Sequence, residues 1–285
     1  MDDETVGAGW ILTSAVGFGT LGIFGKYADA AGLSVPTVLV FRFAIATVVV
    51  WAMLSVTGRL RLLRGRALGV ALALGALGYG LVSWFYFLGL EYMTAGLVGI
   101  VLFTYPAWVV AIALVTGREK VTPRLVGALA LSLAGVALVV GADAAGADPV
   151  GVGIVLLAAI VYASYITVSG RTLDEVQPRT LTAHVMPAAA GTFLAVGTAT
   201  GSLSIPSQPE SWAIVVGIAV VATVVPIFAF FAGIERIGAS RASVLSTIEP
   251  GVTVGLGALL LSEPVTPTTV VGGTLVLAGV VLAQK

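Results

Sequence analysis

The chain has 285 residues, of which 58% are apolar and 10% charged, with 14 basic residues balancing 14 acidic ones. A soluble domain carries about 25% charge, disorder needs low hydrophobicity and high charge, and nucleic-acid binding needs a net positive field, so the composition excludes all three. With no cysteine and one histidine, it also excludes a disulfide framework, thiolate chemistry and a His-rich metal site. The remaining class is an all-α integral membrane protein.

A hydrocarbon core of about 30 Å takes about 20 helical residues. In chain order, apolar runs of that length occur at 8–28, 34–57, 67–90, 93–116, 122–141, 150–169, 180–201, 212–234, 239–261 and 267–283, which predicts ten transmembrane helices. Residues 98–115 and 270–283 are apolar on both parities, against the alternation of a transmembrane strand. The opening Met1-Asp2-Asp3-Glu4 is not the positive start of a signal peptide, so helix 1 is expected to stay in the mature protein.

Cytoplasmic connections collect Lys and Arg. Arg59, Arg61, Arg64 and Arg66 fall between helices 2 and 3, Arg118, Lys120 and Arg124 between 4 and 5, Arg171 and Arg179 between 6 and 7, and Arg236 and Arg241 between 8 and 9, with Lys285 at the end. The intervening connections carry Glu91, Asp143, Asp148, Glu210 and Glu263, and Lys26 is their one basic residue. This alternation predicts both termini in the cytoplasm.

A shift of 144 residues aligns Glu119, Val121, Thr122 and Pro123 with Glu263, Val265, Thr266 and Pro267, and Leu133-Ala134-Gly135-Val136 with Leu277-Ala278-Gly279-Val280; Pro106 meets Pro250. The chain thus divides into five-helix units at 8–141 and 150–283. Five is odd, so the second copy must cross the membrane in the opposite sense. The Glu119 loop is basic and its copy around Glu263 is not, as inversion requires. Inverted repeats characterise secondary transporters that switch about a midplane site. Thr122-Pro123 and Thr266-Pro267 read as helix starts, with Thr as N-cap and Pro in the first turn. Glu119 and Glu263, at the membrane edge, read as capping or loop-ordering groups or as substrate ligands.

The duplicated segments 94–140 and 238–283, each a helix, a Glu, a Thr-Pro start and a second helix ending in Ala-Gly-Val, resemble the EamA domain of the drug/metabolite transporter superfamily. Lys26 at the end of helix 1, Phe41-Arg42-Phe43 and Ile248-Glu249-Pro250 fit the same pattern. The resemblance implies a ten-helix carrier in a prokaryotic cytoplasmic membrane, often an exporter of amino acids or related metabolites. Lys26, Arg42, Glu119, Glu249, Pro250 and Glu263 are the positions that match. Arg42 has no equivalent in the second half, where its position falls near Met186 or His184.

Charges within hydrocarbon cost about 2.5–3.5 kcal/mol each, so the few present need a partner or a cavity. Glu249 lies about 13 Å into helix 9 at ~1.5 Å per residue, and its repeat mate is Tyr105. Pro250 removes a backbone bond beside it, so the carboxylate is expected to bind a cation, an amino group or a coupling proton, or else to bond across a helix interface. Arg42 either snorkels outward or faces the cavity to hold a substrate carboxylate or balance Glu249. Lys26 reads as an interface anchor or part of an outer vestibule, and His184 as a packed residue or a proton relay. Tyr79, Ser83 and Tyr86 share one stripe of helix 3, and Tyr162, Tyr165 and Ser169 one of helix 6. With Phe18 and Trp84, they are candidates for a cavity wall. Gly22, Gly25, Gly75, Gly78, Gly251 and Gly255 read as close helix crossings.

The expected function is a secondary carrier, an exporter of small metabolites working by alternating access, with a drug or amphiphile efflux carrier or a non-transporting membrane adaptor as alternatives. An enzyme would need a nucleophile-base pair or metal ligands at membrane depth, and a channel a filter loop or a ring of like charges; neither pattern is in the sequence. No cofactor is expected. The expected partners are a small substrate, the lipid bilayer and coupling protons, for a monomer or homodimer.

Overall fold

A computed structural model describes residues 3–117, 122–141, 147–173 and 175–284. Glu119 lies outside the described residues, together with Arg118, Lys120, Asp143 and Lys285. The described residues form helices α1 (Asp3–Gly19), α2 (Leu21–Ala30), α3 (Val35–Val56), α4 (Gly65–Ala73), α5 (Gly80–Tyr92), α6 (Ala95–Leu102) and α7 (Tyr105–Val115). These are followed by α8 (Pro123–Gly141), α9 (Pro149–Leu173), α10 (Pro178–Ala199), α11 (Pro209–Ala219), α12 (Val225–Ser246), α13 (Glu249–Leu261) and α14 (Pro267–Gln284). Among the described residues there is no strand, and 8 helical segments are long and apolar enough to cross a membrane. The runs expected at 122–141 and 267–283 form shorter apolar helices.

Several spans that read as single helices are interrupted. The first breaks at Thr20, the fourth at Phe103–Thr104 and the ninth at Thr247–Ile248. An open backbone group at membrane depth is costly, and at each break a threonine hydroxyl adds a second donor to a carbonyl that its own N–H also reaches. Thr20 Oγ1 donates to the Gly17 carbonyl (2.6 Å), Thr104 Oγ1 to Val101 (2.8 Å) and Thr247 Oγ1 to Val244 (2.7 Å). Glu249 is therefore the first residue of a half-helix and not a mid-helix residue. Pro250 sits in that first turn, where the missing N–H costs nothing. Two further spans widen into π turns, Leu74–Tyr79 between α4 and α5 and Val220–Val224 between α11 and α12. At Gly238 the backbone turns to φ 78°, a conformation that L side chains avoid, and this separates the segment from 239 onward from the rest of α12.

The helices pair along their length, α1 with α12, α5 with α9, α3 with α10 and α8 with α14. The last crossing is built on glycine. A Cβ at Gly135 would stand 2.5 Å from the Gly272 carbonyl oxygen, and one at Gly279 would meet the Ala128 carbonyl oxygen at 2.6 Å. Backbone atoms cannot yield as a side chain does, so Gly135→Val is expected to cost about 1–3 kcal/mol and to lower the melting temperature in detergent. An unchanged melting temperature would refute the tight crossing. Gly22, Gly25, Gly75 and Gly78 also meet neighbouring side chains or backbone closely. Gly251 and Gly255 do not: nothing described lies within 4 Å of a Cβ at either, so among the described residues no close crossing forms there.

Candidate substrate site

A cavity of about 240 Å³ lies where the interrupted spans converge, with Glu249 and Arg42 both on its wall. Glu249 reaches it because the break at Thr247–Ile248 starts α13 there, with the positive end of the helix dipole beside the carboxylate. Arg42 projects from α3 and is 2% exposed. Its Nε donates to Thr223 Oγ1 at 2.9 Å, and its charge lies 4.9 Å from the Phe43 ring centre, 5.9 Å from Phe87 and 6.0 Å from Tyr79. These rings and the hydroxyl partly replace the water that the guanidinium has lost.

The two charges share the cavity without pairing. Among the described residues the one ion pair is between Arg241 and Glu4, at the protein surface, and no hydrogen bond reaches the Glu249 carboxylate. Tyr79, Tyr86, Tyr105, Tyr162, Phe18 and Ser83 complete much of the wall. The phenols form a connected band: Tyr105 lies 4.7 Å from Tyr162, Tyr162 6.1 Å from Tyr165, and Tyr165 5.7 Å from Tyr79.

Tyr162 and Tyr79 also line a second space of about 230 Å³, which contains Tyr165 and Ser169. Through Phe230 and Phe231 this space meets a wider vestibule of about 640 Å³ with Arg59 and Arg179 on its rim. The Glu249 cavity thus continues toward a basic end of the molecule.

The opposite end is bridged around the turn from α5 to α6. Lys26 Nζ donates to the Leu90 carbonyl in the last turn of α5. The carboxylate of Glu263, from the other half of the chain, accepts from Ala95 N (2.7 Å) and Gly96 N (3.2 Å) at the start of α6. A cation at a helix C-terminus and an anion at an N-terminus each oppose the local dipole charge. The Glu263 side chain occupies the space beside Gly257, where a Cβ would collide with it. Ser34 Oγ adds a bond to the Ser202 carbonyl at 2.7 Å.

The remaining expected residues lie elsewhere. His184 is buried in a packed position: Nδ1 faces the Thr180 carbonyl at 2.8 Å and Nε2 accepts from Leu63 N at 3.2 Å. Trp84 stacks on Phe193 at 6.2 Å. Pro106, Pro123 and Pro267 occupy first turns of α7, α8 and α14, and the Thr122 and Thr266 hydroxyls accept from Leu125 N and Thr269 N. Thr223 and Ser14 line or support the cavity but escaped sequence reasoning, since isolated hydroxyls in apolar spans are common. One signal was available: Thr223 stands 144 residues after Tyr79.

The model of the EamA-like transporter family matches residues 5–141 and 149–284. The chain is 28% identical over 281 residues to "Uncharacterized transporter YcbK" of Bacillus subtilis (strain 168), covering 95% of this chain and 90% of that protein. It is also 28% identical over 255 residues to an uncharacterized transporter of Archaeoglobus fulgidus, covering 86% of each. A crystal structure at 19% identity superposes with a TM-score of 0.65, covering 99% of this chain and 96% of that one.

Proposed function

The chain belongs to the EamA-like transporter family, and from that premise we propose that it is a secondary carrier exporting small zwitterionic metabolites, such as amino acids, by alternating access. The observation that carries this reading is the pair of unpaired, opposite charges on one cavity, Glu249 and Arg42. An ammonium group suits the carboxylate, and a substrate carboxylate suits the guanidinium fork. A substrate carrying both groups neutralises both walls at once, which an uncharged sugar or a simple cation does not.

Alternating access needs two halves and a site between them. Support comes from cavity positions that stand 144 residues apart: Phe18 and Tyr162, Tyr86 and Phe230, Tyr105 and Glu249. The helix pairing agrees, since α5 with α9 corresponds to α12 with α1. On this reading ten helices form two inverted repeats, 8–141 and 150–283, with both termini and the basic vestibule on the cytoplasmic side. The described state then faces inward, closed outside by Lys26 and Glu263. Protons are the proposed coupling ion and Glu249 their site.

Counterflow in proteoliposomes tests the reading, with radiolabelled leucine against a panel of amino acids, a sugar and an amphiphilic amine. Uptake selective for amino acids is the expected result; equal response to every compound would overturn it.

A further inference from the structure

Arg42 is touched by two residues that lie 144 positions apart, Tyr79 and Thr223. Each belongs to a π turn, Tyr79 at the end of Leu74–Tyr79 and Thr223 within Val220–Val224. Such turns are rare and concentrate at functional sites. In an ordinary helix a threonine hydroxyl bonds back three or four residues, as Thr47 does to Phe43 and Thr192 to Ala188. Thr223 instead donates to the Ile218 carbonyl, five residues back, at 2.9 Å. That bond commits the hydroxyl proton, so toward Arg42 the oxygen is an acceptor, and it takes the Nε hydrogen at 2.9 Å.

A guanidinium is planar, and its use as a carboxylate fork depends on where that plane points. The rings of Phe43, Phe87 and Tyr79 attract the charge from several sides and set no single azimuth. The directional Nε bond does. We infer that Thr223 is a positioning residue: through the widened turn it fixes the plane of Arg42 and thereby makes the site select substrates with a carboxylate over the same molecules without one. The inference rests on Arg42 being the partner of the substrate carboxylate.

The test uses the full chain in proteoliposomes with leucine and 3-methylbutylamine, the same skeleton lacking the carboxylate. Thr223→Val keeps the shape and removes the hydroxyl; Thr223→Ser keeps the hydroxyl. The expected result is a rise of about tenfold in the half-saturating leucine concentration for Thr223→Val, the size of one lost bond to a charged group. Half-saturation by the amine stays unchanged, and Thr223→Ser stays near wild type. In an Arg42→Lys background, which has no Nε fork to orient, Thr223→Val adds nothing further. Equal losses for both compounds, or none for leucine, would overturn the role of Thr223. If Thr223→Val does not fold, Thr223→Ala takes its place with the same expectations. Failure of the underlying reading looks different: Arg42→Gln would then leave leucine half-saturation unchanged, whatever Thr223 does.

Discussion

Glu249→Gln is expected to raise the half-saturating concentration for an amino acid by roughly 10- to 100-fold, the scale of one lost charge-assisted interaction of about 1.5–3 kcal/mol. The substitution keeps the side-chain shape and the start of α13 and removes only the charge. No described residue bonds to the carboxylate, so the fold loses no partner and the melting temperature in detergent should hold. If Glu249 also carries the coupling proton, transport by the wild type varies with pH and with an imposed proton gradient, whereas any residual transport by the variant responds to neither. Normal transport at all pH values by a well-folded Glu249→Gln would remove both roles together. The same substitution at Glu91, outside the cavity, is the matched control and should leave half-saturation unchanged.

The second large effect is expected at Glu263. Its carboxylate takes two N–H groups at the start of α6, each bond charge-assisted, so Glu263→Ala leaves two helix donors open and removes roughly 3 kcal/mol or more of attachment between the halves. The turn from α5 to α6 is then held by Lys26, by the backbone bridge between Met93 and Ala147, and by packing. The chain has no cysteine, so Ser83→Cys supplies a single thiol on the cavity wall. Its reaction with a membrane-impermeant reagent added on the side of the Glu263 latch should quicken at least tenfold in the Glu263→Ala background. Glu263→Gln, which can still accept one of the bonds, should fall between. An unchanged labelling rate would show that this contact does not keep that mouth closed.

Much of this arrangement is legible in the sequence. Apolar runs of membrane length locate the helices because hydrocarbon permits little else, and the 144-residue shift brings Tyr105 into register with Glu249 and Phe18 with Tyr162 before any coordinates are known. Charges at membrane depth are rare enough that Glu249 and Arg42 stand out individually. The breaks do not. Thr20, Thr104 and Thr247 interrupt their helices through bonds to carbonyls three residues back, yet Thr192, Thr198 and Thr274 make similar local bonds inside unbroken helices. Local sequence therefore does not separate the two outcomes; the surrounding packing decides them. Likewise Glu263 reads as a cap in sequence, but the helix it caps begins 168 residues earlier, at Ala95, and no local window could name that partner. The π turns are equally hidden, because Leu74–Tyr79 and Val220–Val224 contain only residues that an ordinary helix accepts.

The pairs lining the cavity carry one further meaning. Phe18 with Tyr162 and Tyr86 with Phe230 match in kind, aromatic against aromatic, and a wall made only of such pairs would accept a guest head-first or tail-first with equal ease. At Leu102 and Ser246, Phe103 and Thr247, and Tyr105 and Glu249 the match fails, and Arg42 has no charged counterpart. Of the unmatched positions two carry charge, Glu249 and Arg42, so on the proposed function a guest with a positive and a negative end has one heading in it. Under the proposed alternating access, a cargo held in one heading would meet the same side chains whichever mouth is open and would leave without having to turn around.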